Sequence, residues 1–218
     1  MSPASPTHAP AVPVIGLVGG IASGKSTYAR LLARRGCPVF SADEAVAELY
    51  RRHDILQTLA TWWPSPPYPP VRKPDGSLDR QAVARIVFAD PAQRQRLEQL
   101  LHPLVADARQ RHLAACRGDE PAVVWDIPLL LETGLGPRCT VVAFVDAPES
   151  VRLARVVARG WSPQDLSARE AAQWPLERKR DAADVVLDGT ADPVVADRAV
   201  TDLLALARQK FAAAPDTA

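Results

Sequence analysis

Apolar positions along the chain form five short, continuous runs, at residues 12–18, 37–40, 122–127, 140–145 and 184–187. Each run contains valine or isoleucine and is bounded by glycine, proline, aspartate or serine, as β-strands usually are. Continuous rather than alternating runs are typical of strands in a parallel sheet that is covered on both faces. Helical segments separate the runs, so the pattern predicts an α/β fold with a doubly wound, parallel, five-stranded sheet.

The segment between the second and third predicted strands is helical in pattern. Apolar residues three and four positions apart predict consecutive helices at residues 76–89, 91–101 and 103–117. Because this stretch is longer than a simple crossover, we expect a helical subdomain at about residues 54–117 that leans over the carboxyl edge of the sheet. Within it, the proline-rich residues 64–70 form either an irregular loop pinned by aromatic neighbours or a docking segment in polyproline II conformation.

Both ends of the chain differ in composition from the rest. Residues 1–11 and 212–218 carry proline and alanine and predict disordered tails around a single domain at residues 12–211. The first segment lacks the basic residues of a secretory signal, and no apolar run reaches the roughly 18–20 residues needed to cross a bilayer. The three cysteines are far apart in the sequence, which fits reduced thiols. We therefore expect a cytoplasmic protein that does not bind a membrane.

Composition narrows the class of partner. Hydrophobic residues make up 47% of the chain and charged residues 23%, which suits a globular domain with a sizeable core. The formal net charge is +1, so the chain lacks the basic excess of proteins that coat nucleic acid. A compact ligand that carries phosphate remains compatible with this charge, since a local basic pocket hardly changes the total.

A glycine-rich segment directly follows the first predicted strand and satisfies the pattern G-x-x-x-x-G-K-[ST]. The predicted ATP-binding residues are Gly19, Gly20, Ile21, Ala22, Ser23, Gly24, Lys25, Ser26 and Thr27. In such a loop, successive backbone N–H groups wrap a phosphate chain, and the following helix directs its N-terminal dipole at the same anion. We expect Lys25 to reach the outer phosphates and the Ser26 hydroxyl to ligate Mg²⁺. The segment therefore predicts binding of a nucleoside triphosphate.

Two carboxylates are candidates for metal binding or catalysis beside the phosphates. The D-x-x-G switch and N-K-x-D guanine reader of GTPases do not occur in the sequence. Asp126 follows Val123-Val124-Trp125 near the end of the third run and is either a ligand on the metal side or an ordinary carboxylate at a strand end. Asp43 follows the second run, where Ser41 and Glu44 already form a capping box for the next helix. Asp43 is therefore either a carboxylate that the helix dipole stabilises or a group that faces the site for catalysis or Mg²⁺ binding.

Arginines recur at helical spacing after the fourth run, at Arg152, Arg155 and Arg159. Spacings of three and four residues place them on one face of a helix predicted at residues 149–159, with a second helix predicted at 163–173. The row is either a solvated charged face or part of a helical lid at about residues 149–180. In a lid, such arginines neutralise charge on the transferred phosphate and exclude water.

Taken in order, these segments resemble the dephospho-CoA kinase family from about residue 15 to about residue 188. The matching segments are residues 15–27, Ala42-Asp43, residues 76–80, Leu101-His102-Pro103-Leu104-Val105, residues 127–132, residues 145–149, Ala171-Ala172-Gln173 and residues 183–186. The phosphate loop is shared with many other kinases. The His-Pro, Pro-Leu-Leu and Ala-Ala-Gln segments, in this order and spacing, are specific to the family.

The resemblance implies a P-loop kinase fold with a helical insertion on the acceptor side and a helical lid. It implies transfer of the γ-phosphoryl group of ATP to the ribose 3′-hydroxyl of dephospho-CoA, with Mg²⁺ as cofactor and with no obligatory protein partner evident. In the family, the aspartate that matches Asp43 is the base or orienting group at the acceptor hydroxyl. The arginine that matches Arg155 contacts the transferring phosphates, which gives Asp43, Lys25 and Arg155 as the implied catalytic set.

Some positions differ from the family pattern. An apolar residue commonly follows the arginine that matches Arg169, where this chain has Glu170, and an asparagine commonly stands at the position of Gly189. These differences put an adenine-side or lid-side role for Arg169 and Gly189 in question. His102 is interpreted as the cap of a helix that starts at Pro103 rather than as a catalytic residue.

Two other functions stay open at this point. Another small-molecule P-loop kinase, acting on a nucleoside monophosphate or a sugar, would share the phosphate loop but have a different acceptor domain. The ordered family segments count against it. A non-catalytic protein that senses ATP would not require Asp43, so the joint presence of Lys25, Ser26, Asp43 and Arg155 disfavours a pure sensor.

Overall fold

Five parallel strands form a single sheet in the order β2-β3-β1-β4-β5. The strands are β1 (Val14–Gly19), β2 (Val39–Ser41), β3 (Val123–Asp126), β4 (Val141–Asp146) and β5 (Val185–Asp188). The structure, a computed structural model, describes residues 12–171 and 173–214, so the tail predicted at 1–11 and residues 215–218 of the other tail lie outside the described residues. The predicted doubly wound, parallel, five-stranded sheet is confirmed, and each strand begins and ends within about two residues of its predicted position.

Helices fill the connections between the strands. They are α1 (Lys25–Arg34), α2 (Ala42–Leu49), α3 (His53–Trp62), α4 (Arg80–Ala89), α5 (Pro91–Ala114), α6 (Glu149–Val157), α7 (Pro163–Glu170), α8 (Leu176–Asp181) and α9 (Pro193–Ala213), with a short 3₁₀ turn at Gly136–Arg138. Polar side chains cap several of them: Asp90, Ser162 and Asp192 each accept a backbone N–H group at the start of a helix. Helix α9 extends to Ala213, two residues into the segment that the sequence analysis assigned to a tail.

The described residues divide into two compact units. The first contains the residues up to Ser41 and those from Leu113 onward, and therefore the whole sheet. Every residue of β1 is buried, since β3 and β4 flank it on both sides and helices cover the sheet. Helices α1 and α9 supply apolar side chains to this core, among them Leu32 and Val200, which have no exposed surface. Burial on both faces explains why these strands have continuous apolar sequences.

The second unit is Ala42–His112 and has its own apolar core. Leu59 and Trp63 lie at its centre, with 0% and 1% of their surfaces exposed. The Trp63 indole Nε1 donates to Gln93 Oε1 across 2.7 Å. Tyr68, within the proline-rich loop, and Val71, just after it, pack on the same core. This packing matches the first interpretation of residues 64–70, an irregular loop that aromatic residues pin in place.

The helix boundaries predicted within this unit need correction. Helix α5 is continuous from Pro91 to Ala114 and contains Pro103, so residues 91–101 and 103–117 are not two helices and His102 does not cap a helix start. The apolar stripe of Leu101, Leu104 and Val105 runs through the proline and packs on the core. This burial stabilises the helix despite the missing N–H group.

Three further helices are shorter than predicted. Helix α4 begins at Arg80 rather than at residue 76, because the Asp79 carboxylate accepts the N–H groups of Gln81 and Ala82 and fixes the start there. Leu78 instead forms an antiparallel bridge with Arg72. In the first unit, the helices predicted at 149–159 and 163–173 end at Val157 and Glu170.

Candidate nucleotide site

The predicted phosphate loop connects the carboxyl end of β1 to the start of α1. Gly19 has φ +141°, and a β-carbon there would lie 2.4 Å from the carbonyl oxygen of Val145 on β4. Gly19 and Val145 are register partners, so the loop leaves the sheet in direct contact with the neighbouring strand. Only glycine fits this backbone conformation and this close approach. The loop is therefore anchored to the centre of the sheet.

The start of α1 has the features of an anion-binding site. The Lys25 ammonium folds back over the loop and donates to the carbonyl oxygens of Gly19 and Gly20, each at 2.9 Å. Ser26 and Thr27 are exposed, and the first turn of the helix contains no acidic residue. The positive end of a helix dipole, free of carboxylates and next to a lysine, is a general arrangement for binding phosphate. The loop residues predicted to bind ATP are therefore together at one helix terminus.

Arg155 connects the phosphate loop to two other parts of the fold. From α6, its Nη1 donates to the carbonyl oxygen of Ala22 at 3.0 Å and its Nη2 to the carbonyl oxygen of Gly189 at 2.9 Å. Two of the five guanidinium donors therefore hold the backbone of the loop and of the segment after β5. Ala22 is the described non-glycine residue with a positive φ, +60°, so the arginine holds the loop where its backbone is unusual.

Gly189, which the sequence analysis questioned, touches the loop itself. A β-carbon at this position would lie 1.8 Å from the carbonyl oxygen of Ser23, so the two backbones are in direct contact. The Gly189 N–H donates to the carbonyl oxygen of Asp146 at 2.6 Å. The Tyr28 hydroxyl donates to the carbonyl oxygen of Asp188 at 2.8 Å, and burial together with the nearby Asp188 charge raises the pKa of Tyr28, which keeps this donor protonated. The segment after β5 therefore forms one wall of the loop.

The other two arginines of the predicted row have different positions. Arg152 is 5% exposed, and its guanidinium lies against Gly20 of the phosphate loop. Its Nη1 donates to the Glu170 carboxylate at the end of α7. Arg159 follows the last residue of α6, Val157, and is exposed. The structure thus brings Arg152 and Arg155 to the loop and leaves Arg159 beyond the helix that was predicted to carry it.

The two candidate carboxylates lie at strand ends. Asp126 is the last residue of β3, half-buried, and is the register partner of Leu17 on β1 and of Ser41 on β2. Asp43 is the second residue of α2, exposed, two positions after the end of β2. Among residues 12–171 and 173–214, no group of three or more His, Cys, Asp or Glu could hold a metal ion. A phosphate-bound Mg²⁺ does not need such a group, since phosphate oxygens and waters fill most of its six positions.

A buried lysine near the predicted lid was missed by the sequence analysis. Lys179 on α8 has no exposed surface, and its Nζ lies 2.9 Å from Glu132 Oε1, 2.8 Å from Gln173 Oε1 and 3.2 Å from the carbonyl oxygen of Pro128. Burial raises the pKa of Glu132, but hydrogen bonds from the Trp174 N–H and the Lys179 ammonium outweigh it and leave this pKa below its usual value. The pair joins two segments that carried the family resemblance, at residues 127–132 and 171–173.

A signal for Lys179 was present in the sequence. The chain has only four lysines among its 26 basic residues, Lys25, Lys73, Lys179 and Lys210. A lysine in a chain that otherwise uses arginine indicates a specific role, and this holds for Lys179 as it does for Lys25. For Glu170 and Gly189 the signal was their departure from the family pattern, which the structure explains by contacts with Arg152 and Ser23.

Comparison with known proteins identifies close relatives. A family model described as dephospho-CoA kinase matches residues 13–193. The dephospho-CoA kinase of Synechococcus sp. (strain CC9605) is 44% identical over 182 residues, which cover 82% of this chain and 86% of that protein. The dephospho-CoA kinase of Anaeromyxobacter dehalogenans is 41% identical over 198 residues, which cover 87% and 92% of the two chains.

Two solved structures have a fold similar to that of this chain. The crystal structure of TT1252 from Thermus thermophilus matches with a TM-score of 0.75 and 37% identity, covering 89% of this chain and 97% of that one. Dephospho-CoA kinase from Campylobacter jejuni matches with a TM-score of 0.64 at 22% identity, a likeness of fold that covers 88% and 95% of the two chains. Within the part of the chain that the structure describes, no helix is long and apolar enough to span a membrane.

Proposed function

The chain belongs to the dephospho-CoA kinase family, and from this premise we propose that it transfers the γ-phosphoryl group of ATP to the ribose 3′-hydroxyl of dephospho-CoA. The observation that carries the proposal is that one compact unit contains both a complete phosphate loop, with Lys25 folded over it, and the family-specific segments that the contacts of Lys179 hold together. The substrates are then ATP and dephospho-CoA, and the products are ADP and CoA. We place the reaction in the cytoplasm, as the sequence composition predicts.

The phosphate loop binds the nucleotide in this proposal. The backbone N–H groups of the loop and the N-terminus of α1 receive the β- and γ-phosphates, and Lys25 exchanges its two carbonyl partners for phosphate oxygens. The residues present suit Mg²⁺, because the exposed Ser26 hydroxyl and the Asp126 carboxylate, with Asp43 as the alternative, are oxygen donors of the kind this ion prefers. When bound, the ion neutralises charge that develops on the transferred group.

Asp43 remains the proposed base or orienting group for the acceptor hydroxyl. It lies in the first turn of α2, directly after β2, where the positive end of the helix dipole favours a carboxylate. Its exposed side chain can take the hydroxyl proton as the oxygen attacks the γ-phosphorus. The acceptor-side role of the helical insertion, predicted at about residues 54–117, belongs to the same proposal.

The arginines of α6 act on the phosphates in this proposal. Phosphoryl transfer requires alignment and neutralisation of charge more than covalent chemistry. Arg155 has three guanidinium donors besides the two that hold Ala22 and Gly189, so it can hold the loop and contact phosphate oxygens together. Arg152 adds positive charge beside Gly20, and Arg159 belongs to the proposed lid at about residues 149–180.

The function is tested by measuring products with defined acceptors. The purified protein is incubated with Mg-ATP and dephospho-CoA, and separately with AMP, CMP or shikimate, while ADP and the phosphorylated product are quantified. We expect CoA with dephospho-CoA and no product with the other three acceptors. Turnover on one of those acceptors without CoA formation would keep a P-loop kinase but reject the substrate. ATP binding without turnover on any acceptor would favour a sensor.

A further inference from the structure

Arg152 is a buried cation with one ionic partner. Only 5% of its surface is exposed, and a β-carbon at Gly20 would lie 3.0 Å from its Nη1 and 3.3 Å from its Cζ, so the guanidinium rests on the phosphate loop. A buried charge requires compensation, and the Glu170 carboxylate on α7 supplies it. The pair therefore connects the nucleotide loop to the end of a helix in the predicted lid.

The pairing leaves part of the guanidinium unsatisfied. The Nε of Arg152 is buried and has no hydrogen-bond partner among the described residues. A buried donor without an acceptor is unfavourable, and native proteins usually avoid it. An additional anion beside the guanidinium would remove this penalty. Arg152 therefore has capacity for an acceptor besides Glu170, in a loop whose chemistry suits phosphate.

Glu170 is held mainly by this one contact. It is the last residue of α7, where the partial negative charge of the helix C-terminus disfavours a carboxylate. The guanidinium of the neighbouring Arg169 stacks over the Trp161 ring at 4.2 Å. With 29% of its side chain exposed, Glu170 can return to water when Arg152 is taken by another anion.

We propose that Glu170 is an internal counterion of Arg152, which occupies the guanidinium in the nucleotide-free protein and is exchanged for phosphate oxygens when a nucleotide binds. Nucleotide binding must break the Arg152–Glu170 pair, and this cost offsets part of the favourable interaction between Arg152 and the phosphates. Glu170 therefore lowers the affinity for nucleotide and does so through Arg152. The inference rests on one part of the proposed function, namely that this site binds a nucleoside triphosphate.

The test is a double-mutant cycle on nucleotide affinity. The dissociation constants of ATP and ADP are measured by calorimetry, without acceptor, for the wild-type protein, Glu170→Gln, Arg152→Gln and the double variant. We expect Glu170→Gln to bind about three- to tenfold more tightly and Arg152→Gln about tenfold more weakly. In the double variant, the effect of Glu170→Gln disappears, because no guanidinium remains to be released.

Three results would overturn the proposal. Weaker binding by Glu170→Gln would mean that the carboxylate positions Arg152 for the phosphate. An unchanged affinity would mean that the pair only joins α6 to α7. Equal tightening in the presence and absence of Arg152 would mean that Glu170 repels the nucleotide through space.

Control variants separate these effects from damage to the fold. Asp197→Asn neutralises the partner of Arg35 at the far end of α1 and should leave nucleotide affinity unchanged. Glu170→Asp keeps the charge on a side chain that is one methylene shorter, so its affinity should lie between those of the wild type and Glu170→Gln. If Arg152→Gln does not fold, as judged from its melting temperature, Arg152→Met takes its place in the cycle, since methionine removes the charge and its unbranched, flexible side chain can fill the same space.

The proposed function fails separately from this inference. If the wild-type protein forms no CoA but the cycle on ADP shows the expected coupling, the counterion role stands and the substrate assignment falls. If CoA forms while Glu170→Gln and the wild type bind ATP with equal affinity, the counterion role of Glu170 is rejected and the proposed function stands.

Discussion

Replacement of Lys179 by methionine tests the buried ion pair of the first unit. Methionine has nearly the same length and volume, so it leaves no large cavity and removes only the ammonium. The change takes away the contacts of Nζ with Glu132, Gln173 and the carbonyl oxygen of Pro128. The Glu132 carboxylate then remains in a site that was built around a positive charge.

The magnitude follows from what Glu132 keeps. Removing one member of a buried pair usually destabilises a protein by about 3–5 kcal/mol. Glu132 retains the Trp174 N–H at 2.8 Å and 14% of its side-chain surface is exposed, which places the expected loss near the lower limit. We therefore expect about 3 kcal/mol in the free energy of unfolding, or a melting temperature lower by about 6–12 °C.

The assay is urea unfolding at pH 7 with a tryptophan-fluorescence readout, supported by thermal unfolding. Lys210→Met is the matched control, because Lys210 pairs with Asp184 at a position where 41% of the lysine side chain is exposed, and such pairs contribute at most about 1 kcal/mol. The double variant Lys179→Met/Glu132→Gln should recover part of the loss, since no unpaired charge remains. A loss below about 1 kcal/mol for Lys179→Met would refute the reasoning.

The remaining predictions concern the site, one helix and acid stability. Asp43→Asn should keep ATP binding while turnover falls by about 10²–10⁴, the effect usual for a general base, and near-normal turnover in a CoA-formation assay would remove Asp43 from the mechanism. Gly189→Ala would place a methyl group 1.8 Å from the carbonyl oxygen of Ser23, so we expect a lower melting temperature and weaker ATP binding by calorimetry; wild-type values for both would contradict the contact. Pro103→Ala should restore an N–H group inside α5 and stabilise the second unit by up to about 3 kcal/mol in urea unfolding, whereas destabilisation would mean that the ring packs productively. Because the pKa of Glu132 is lowered in the folded protein, its contribution is present above the usual pKa of 4.5 and is lost as the pH falls through the lower, folded value, so the stability difference between wild type and Glu132→Gln should stay constant from neutral pH down to that usual value and shrink below it; a difference that shrinks only above 4.5, or that does not change below it, would contradict this sign.

The sequence predicts the sheet and the order of its strands and helices for a physical reason. Strands that are buried on both faces must be apolar along their whole length, as in Val14–Gly19, so they stand out in the pattern. The phosphate loop has equally strict local requirements, since backbone contact at Gly19 excludes any side chain. The strands were therefore predicted within about two positions.

Features that depend on distant contacts were not predictable in the same way. Pro103 predicts a helix boundary locally, but the packing of Leu101 and Leu104 on the core of the second unit keeps α5 continuous. The partner of Arg152 was also hidden, because Glu170 is 18 residues away along the chain. Periodicity can place arginines on one face of a helix, but it cannot show what that face contacts.

The central position of β1 has a consequence for local opening of the protein. The strand lies between β3 and β4, and all of its residues are buried, whereas β2 and β5 form the edges of the sheet. Backbone amides in such a strand exchange with solvent hydrogen only when the whole cooperative unit opens, while edge strands and short helices exchange through smaller fluctuations. Since Gly19 ends β1 and begins the phosphate loop, the loop is attached to the slowest-exchanging part of the sheet. Transient opening at either edge therefore leaves the base of the nucleotide site in place.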